Sequence, residues 1–348
     1  MTTHQIEITG WDIGGAHLKV TRCNQQGHLT HAIEIPCPLW LGIKHLQQAI
    51  HTAQQQIGQQ QTLAAITMTG ELVDIFADRQ SGVSHILDCL LQFIPEQHCM
   101  VYAGEAGWLS PTQAKEQWQQ VASRNWQASA VFTAQQIKQG LFIDVGSTTS
   151  DIIPIQNNQA IPNAFSDFER QANSELHYAG AIRTPLIAIA HQAPFDGKFI
   201  RLAAEVFATT GDCWCLLDEL DPTAICDSSA DGQSWQQQDC ARRLARLLGT
   251  DAAAHPPEHW QSLAQWFAAQ QLDQLYTACK TVLSSHPTIT PDAAIIGAGI
   301  GRFIIKHCAK KLGRNYIDFS QLIEPQSSQA ADHAPAAAVA LLAWHQLT

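Results

Sequence analysis

One local pattern occurs twice in this chain and narrows the folds open to it. Ile6-Glu7-Ile8-Thr9-Gly10-Trp11-Asp12-Ile13-Gly14-Gly15 runs a short apolar strand into an Asp and a Gly pair, with Lys19 soon after. About 130 residues later, Leu141-Phe142-Ile143-Asp144-Val145-Gly146-Ser147-Thr148-Thr149-Ser150-Asp151 repeats the arrangement and returns as Ile152-Ile153-Pro154-Ile155. In both, a strand delivers a carboxylate, and the next residues are small enough to let backbone N–H groups face an anion. The Asp can hold Mg²⁺, directly or through water, against phosphate oxygens. The repetition predicts a duplicated fold with a phosphate clamped between its halves.

Strands alternate with helices on both sides of the midpoint, which makes the class α/β. Short strands are expected at 32–35, 63–70, 100–103, 293–296 and 316–319. Helical apolar periods cover 43–56, 242–248, 260–283 and 335–345. The stretch 111–136 reads mainly as helix, with Trp118, Val121 and Trp126 buried, and a helix is expected over 185–193. Residues 201–209 fit a strand or a helix equally. The Gln-rich patches at 54–61 and 117–136 are surface composition. Length 348 suggests two domains. They are placed at 1–135 plus the closing helix 335–348, and at 136–334.

Hydrophobic residues form 45% of the chain and charged residues 15%, with a net charge of −11. That balance argues against a nucleic-acid or membrane-surface partner. No basic start followed by an apolar run marks export, and no apolar stretch is long enough to span a bilayer, so a cytoplasmic location is expected. The ten cysteines contain no Cys-x-x-Cys pair and read as reduced, buried small hydrophobes. Cys213, Cys215, Cys226 and Cys240 cluster in sequence, but their spacing matches no familiar zinc pattern.

Gly297, Gly299 and Gly301 form a third glycine turn, with Asp318 about 20 residues on. A dinucleotide fingerprint needs its third glycine at position 302, where the chain has Arg302. Neither a P-loop nor a G-x-S-x-G elbow occurs. Two Asp–Gly turns and a late glycine turn resemble the acetate kinase/Hsp70/actin superfold. That resemblance implies two RNase H-like domains around a central cleft, with the late turn facing an adenosine.

Gly14-Gly15-Ala16-His17-Leu18-Lys19, Met68-Thr69-Gly70-Glu71-Leu72-Val73-Asp74 and the 144–154 segment carry a closer resemblance. So do Tyr178-Ala179-Gly180-Ala181-Ile182-Arg183-Thr184-Pro185, Ala204-Glu205-Val206-Phe207-Ala208-Thr209-Thr210-Gly211-Asp212, Asp231-Gly232 and Ala241-Arg242-Arg243-Leu244-Ala245-Arg246. Together they resemble the tetrahydromethanopterin-linked one-carbon branch of the hydantoinase A/oxoprolinase family, from about residue 8 to 305. Ser147 stands where Thr is expected and Gly211 where Ala is. The resemblance implies a transferase of methylofuran biosynthesis. It would condense an aminomethylfuran methyl diphosphate with the phenol of γ-glutamyltyramine, forming an aryl ether and releasing diphosphate. The small-molecule partners are thus a phosphorylated substrate and a phenolic amine.

On that reading Asp12, Asp144 and Asp151 hold Mg²⁺ or a similar divalent cation. Gly14, Gly15, Lys19, Gly146, Ser147, Thr148, Thr149 and Arg183 meet phosphate. A phenol near pKa 10 needs a proton acceptor; Glu71 is the first candidate and Asp74 the second. Asp212, Gly297, Gly299 and Gly301 are candidates for substrate or nucleotide. Trp11 and Phe207 are candidates to flank the furan cation. The Arg242/Arg243/Arg246 stripe fits either a salt-bridged helix face or a substrate-carboxylate contact. Two other functions use the same clamp: an ATP-dependent kinase or hydantoinase-like hydrolase, for which ATP is a cofactor, and a nucleotide-gated binding protein without chemistry.

Overall fold

In the computed structural model, which describes residues 6–58 and 62–348, the chain divides into two units. One comprises Met1–Gly140, Ile155–Ile161 and Ile317–Thr348; the other comprises Leu141–Pro154 and Pro162–Tyr316. Gln59, Gln60 and Gln61 of the first Gln-rich patch lie outside the described residues.

The first unit is built on β1 (Ile8–Ile13), β2 (His17–Cys23), β3 (Leu29–Pro36), β4 (Leu63–Met68), β5 (Cys99–Tyr102) and β6 (Trp108–Leu109), in the sheet order β3-β2-β1-β4-β5-β6. Short turns join β1 to β2 and β2 to β3, so those pairs are antiparallel. The β1–β4 and β4–β5 pairs are parallel, and helices Lys44–Ile57 and Arg79–Leu90 make the crossovers that parallel pairing requires. Leu46, Ala49, Ile50, Ala53 and Ile57 put one face of the first crossover helix into the core with Trp11, Ile13, Leu18 and Val20. The Ala-rich helix Ala334–Leu347 lies against β1 closely enough that a Cβ on Gly10 would sit 2.0 Å from the Ala336 carbonyl oxygen. Only glycine permits that approach.

Later in the chain the plan repeats with β7 (Gln139–Val145), β8 (Ser150–Gln156), β9 (Gln159–Ala160), β10 (Leu176–His177), β11 (Gln192–Phe195), β12 (Lys198–Arg201), β13 (Ala294–Ala298) and β14 (Tyr316–Asp318). The sheet order is β10-β8-β7-β13-β14, with β9 on β8 and a separate β11–β12 hairpin. In each sheet the first strand has two strands on one side (β2 and β3; β8 and β10) and later strands on the other (β4, β5 and β6; β13 and β14). That is the RNase H-like order, and two copies of it make this an α/β fold of the acetate kinase/Hsp70/actin class. The 29-residue helix Pro257–Ser285 buries Trp260, Leu263, Phe267 and Leu275 in the second core.

Some expected elements differ. Residues 111–136 form three helical pieces, Pro111–Glu116, Trp118–Val121 and Asn125–Gln136; Gln117, with ψ 38°, parts the first two, and Ser123, with a left-handed φ of 55°, parts the last two. Val121 and Trp126 are buried as expected, while Trp118 is half-buried. The helix expected over 185–193 stops at Ile189, and β11 begins at Gln192. β12 ends at Arg201, and the chain then runs irregularly to a helix at Thr210–Leu216. Three of the four clustered cysteines are buried, but Cys226 is exposed. Among the described residues no group of three or more His, Cys, Asp or Glu is arranged to hold a metal.

Candidate active site

The two Asp turns share one geometry. Asp12 and Asp144 each occupy the penultimate position of the central strand. Two residues on, Gly14 donates its N–H to the His17 carbonyl and Gly146 donates its own to the Thr149 carbonyl, each at 2.9 Å. These two glycine N–H groups therefore close the hairpins and do not point at a ligand. The tips, Gly15–Ala16 and Ser147–Thr148, remain to face an anion. The segment that follows a neighbouring strand, β4 or β13, ties down each turn: Thr69 donates to the Ile13 carbonyl at 3.0 Å, and Gly301 to the Val145 carbonyl at 2.8 Å.

Within the first unit, strand register sets a row of alternating charge. Asp12 lies opposite Lys19, and Lys19 opposite Glu34. Lys19 Nζ is 3.7 Å and His17 Nδ1 3.4 Å from Glu34 Oε1. Asp12 is buried and accepts a long hydrogen bond from Asn125 Nδ2 at 3.4 Å. Burial raises its pKa to about 6, against the opposing pull of Lys19 and Asn125. Burial also pushes the Glu34 carboxyl upward, but Lys19, His17 and His333 outweigh it and its pKa is lowered. Lys19 is thus a partly buried bridge between two carboxylates.

Glu71 sits in the tight turn Gly70–Leu72 just past β4 and is buried, with Ser123 Oγ donating to its Oε1 at 2.7 Å. Helix Arg79–Leu90 crosses directly over it: a Cβ on Gly82 would be 2.6 Å from the Glu71 carbonyl oxygen. Asp74 is exposed three residues later.

The second unit braces its turn more heavily. Ser147 C=O accepts from the Ile182 N–H at 3.1 Å and the Arg183 N–H at 2.8 Å, and Ala181 donates to the Gly146 carbonyl at 2.9 Å. Gly180 abuts the tip so closely that a Cβ there would be 2.4 Å from the Thr148 nitrogen. Its carbonyl is held by Thr210 Oγ1 at 2.9 Å and Gln271 Nε2 at 2.8 Å. The third glycine turn packs against the second Asp turn: Gly299, at φ +83°, places its Cα where a Cβ would meet Asp144 Oδ1 at 2.3 Å. Gly301 lies against Val145 in the same way, while Gly297 makes room for the Tyr316 ring. Continuing the hairpin from the Gly146–Thr149 bond sets Asp151 opposite Asp144, where the first unit has Lys19 opposite Asp12. Asp151 accepts from Arg170 Nη2 at 2.8 Å; burial nonetheless raises its pKa.

Several candidate residues have structural partners. Asp212 is fully buried, caps its helix through Thr209, and pairs with Arg243 Nη2 at 2.6 Å. Arg243 also holds Asp231 at 2.9 Å, Arg242 pairs with Asp239 at 2.8 Å and Arg246 with Asp251 at 3.1 Å. The arginine stripe is therefore salt-bridged. Trp11 is buried, its indole N–H bonded to Thr9 at 2.9 Å, and cannot face a furan; Phe207 is exposed. Ser123, Asn125, Glu34 and Arg170 were not singled out by the sequence. Glu34 was within reach of register reasoning, because any residue paired with Lys19 faces the same side.

Fold and turns together define a protein built on the acetate kinase/Hsp70/actin plan. Its sequence matches a hydantoinase/oxoprolinase profile over residues 62–346, and the chain belongs to that family. A (4-{4-[2-(gamma-L-glutamylamino)ethyl]phenoxymethyl}furan-2-yl)methanamine synthase from Methanocaldococcus jannaschii is 31% identical over 250 residues, covering 71% of this chain and 73% of that one. A protein of the same name from Methanococcus vannielii is 27% identical over 220 residues, covering 63% of this chain and 97% of its own. A nucleotide-free acetone carboxylase structure aligns with a TM-score of 0.56 at 10% identity, covering 94% of this chain and 70% of that chain, a likeness of fold alone. No described helix is long and apolar enough to cross a membrane.

Proposed function

We propose that this chain is a transferase of methylofuran biosynthesis. In its reaction, the bond between the furfuryl carbon of an aminomethylfuran methyl diphosphate and its leaving oxygen breaks. Diphosphate departs with the electron pair. The phenol oxygen of γ-glutamyltyramine forms the new bond to that carbon, and its proton passes to a carboxylate. The observation that carries the reading is the shared name of two relatives, one 31% identical over most of both chains.

The furan ring delocalises positive charge, so the principal catalytic task is to stabilise the leaving diphosphate. Within each unit the turn tip, Gly15–Ala16 in the first and Ser147–Thr148 in the second, offers backbone N–H groups to an anion. Hard carboxylate donors suit Mg²⁺, which takes one or two protein carboxylates and fills its remaining positions with phosphate and water. Asp144, beside the Ser147–Thr148 tip, fits that demand best; Asp151 is already paired with Arg170, and Asp12 has the cation Lys19 opposite it. When bound, the metal would supply positive charge to the diphosphate oxygens.

Asp12 is better suited to the proton. Its pKa of about 6 leaves it largely ionised near neutrality yet close to the operating pH, as a general base requires. Glu71, enclosed by Ser123 and the helix over it, braces the turn that supports Gly14. The test is to incubate the protein with Mg²⁺ and both substrates, without ATP, and seek the ether by mass spectrometry with released diphosphate. Ether formation supports the transferase. No ether, from folded protein that hydrolyses added ATP, would move the assignment to the kinase or hydrolase reading.

A further inference from the structure

The first unit carries a group of exposed apolar side chains around its Asp turn. Trp40 is 43% exposed, Leu41 60%, Leu72 39% and Ile75 40%. They stand on two loops, and both loops are fastened to the same glycine. Leu39 donates its N–H to the Gly15 carbonyl at 3.0 Å, which fixes the base of the 39–41 turn. Val73 Cγ1 lies 2.8 Å from where a Cβ of Gly15 would be, which fixes the 72–75 loop. The loops also meet beneath the turn, where a Cβ on Gly70 would be 3.0 Å from Leu39 Cδ2 and 3.1 Å from the Gly14 carbonyl oxygen. Scattered exposed apolar residues need no explanation, but a group gathered around a candidate anion turn does.

One carboxylate lies on this surface. Asp74 is exposed between Leu72 and Ile75, whereas Glu71 of the same loop is buried against Ser123. An apolar collar with a single carboxylate beside an anion-binding tip matches a ligand with three parts: a diphosphate, a flat ring one methylene away, and an ammonium on the far side of that ring.

We infer that the loops at 39–41 and 72–75 are the binding surface for the furan, with Trp40, Leu41, Leu72 and Ile75 covering the ring and Asp74 pairing with its aminomethyl ammonium. This deepens the transferase reading and rests on it for the identity of the ring. The covering side chains shield the furfuryl carbon from water, which would otherwise capture the cation and give the alcohol. Trp40 adds an aromatic face for the developing positive charge. Asp74 is then a specificity residue and not the proton acceptor.

The test compares binding, with Mg²⁺ present, of aminomethylfuran methyl diphosphate and the same molecule lacking its aminomethyl group. The wild-type protein should prefer the amine by about tenfold or more, as a charge-assisted contact implies. Asp74→Asn should erase that preference while leaving affinity for the amine-free compound unchanged. Trp40→Ala should weaken both compounds alike, and Trp40→Phe should recover most of the loss. A preference that persists in Asp74→Asn, or is absent from the wild type, overturns the inference. Ether formation is read in the same preparations. No ether with the preference intact defeats the transferase reading alone, and wild-type kcat/KM for the amine substrate in Asp74→Asn defeats the collar alone.

Discussion

At the scale of single residues, the two halves differ most at one position. Register sets Lys19 opposite Asp12, while the matching place beside Asp144 holds Asp151. The same turn thus has a lysine opposite its Asp in one unit and, in the other, a second carboxylate that Arg170 holds at 2.8 Å. The consequence for Asp12 is testable because its pKa is raised. The native state holds the Asp12 proton to about pH 6, whereas the unfolded chain releases it near 3.8. Stability from this group is therefore complete below about pH 4 and is lost as pH rises through 6. A shift of about two units corresponds to about 3 kcal/mol. Relative to Asp12→Asn, the wild type should lose up to that amount between pH 4 and 8, seen by urea denaturation at both values. Its kcat should rise over the same interval with an inflection near 6 that the variant lacks. A wild-type rate in Asp12→Asn would remove this residue from the proton's path. Much at this scale was legible: a strand, an Asp and a glycine predict a carboxylate beside a turn. The Asn125 contact was not, because that residue is 113 positions away and local pattern carries no trace of it.

Elements explain why some conspicuous sequence motifs serve structure. The run from Ala204 to Asp212 resembles family motifs, yet its Asp caps helix Thr210–Leu216 and its charge is met by Arg243 from helix Gln237–Leu248. Asp231, whose turn uses Gly232 at φ +73°, supplies the second carboxylate, and the Trp235 ring lies 5.2 Å from the guanidinium. Arg243 thus cross-links two helices and a loop inside the second unit. Removing it should strand the fully buried Asp212 charge, at a cost of about 3–5 kcal/mol. Arg243→Ala should lower the unfolding free energy by that amount, seen as a lower denaturant midpoint at unchanged m, and adding Asp212→Ala should restore part of the loss by removing the orphaned charge. An unchanged midpoint in Arg243→Ala would show that the pair is no cross-link. Apolar period alone exposed the helix but could not show which arginine faces inward. The three-piece helix of 111–136 was hidden for a similar reason, since its breaks rest on Gln117 and the left-handed Ser123, residues that composition would pass over.

At the scale of the whole molecule, duplication is what made the fold readable. Two strand–Asp–Gly turns required two sheets of similar order, and both have the RNase H-like sequence of strands. The ligand is a separate question, because one fold supports unrelated chemistries, and the acetone carboxylase likeness concerns the scaffold only. The distinction can be made without turnover. A ligand that binds the native state at a hundred times its Kd stabilises it by about 2.7 kcal/mol. For domains of 150–250 residues each kcal/mol moves Tm by about 2–4 °C, so saturating Mg²⁺ and diphosphate should raise Tm by roughly 5–10 °C. Diphosphate without the metal should give a smaller rise, because the Asp144 carboxylate then faces the anion without the cation's charge. Mg²⁺ with ATP should produce little shift, because the proposed substrate is a diphosphate whose far end is a small furan. A large shift with ATP and none with diphosphate would place a nucleotide where the present reading places the furfuryl diphosphate, and would return the late glycine turn at Gly297–Gly301 to the adenosine-facing role that the superfold implies.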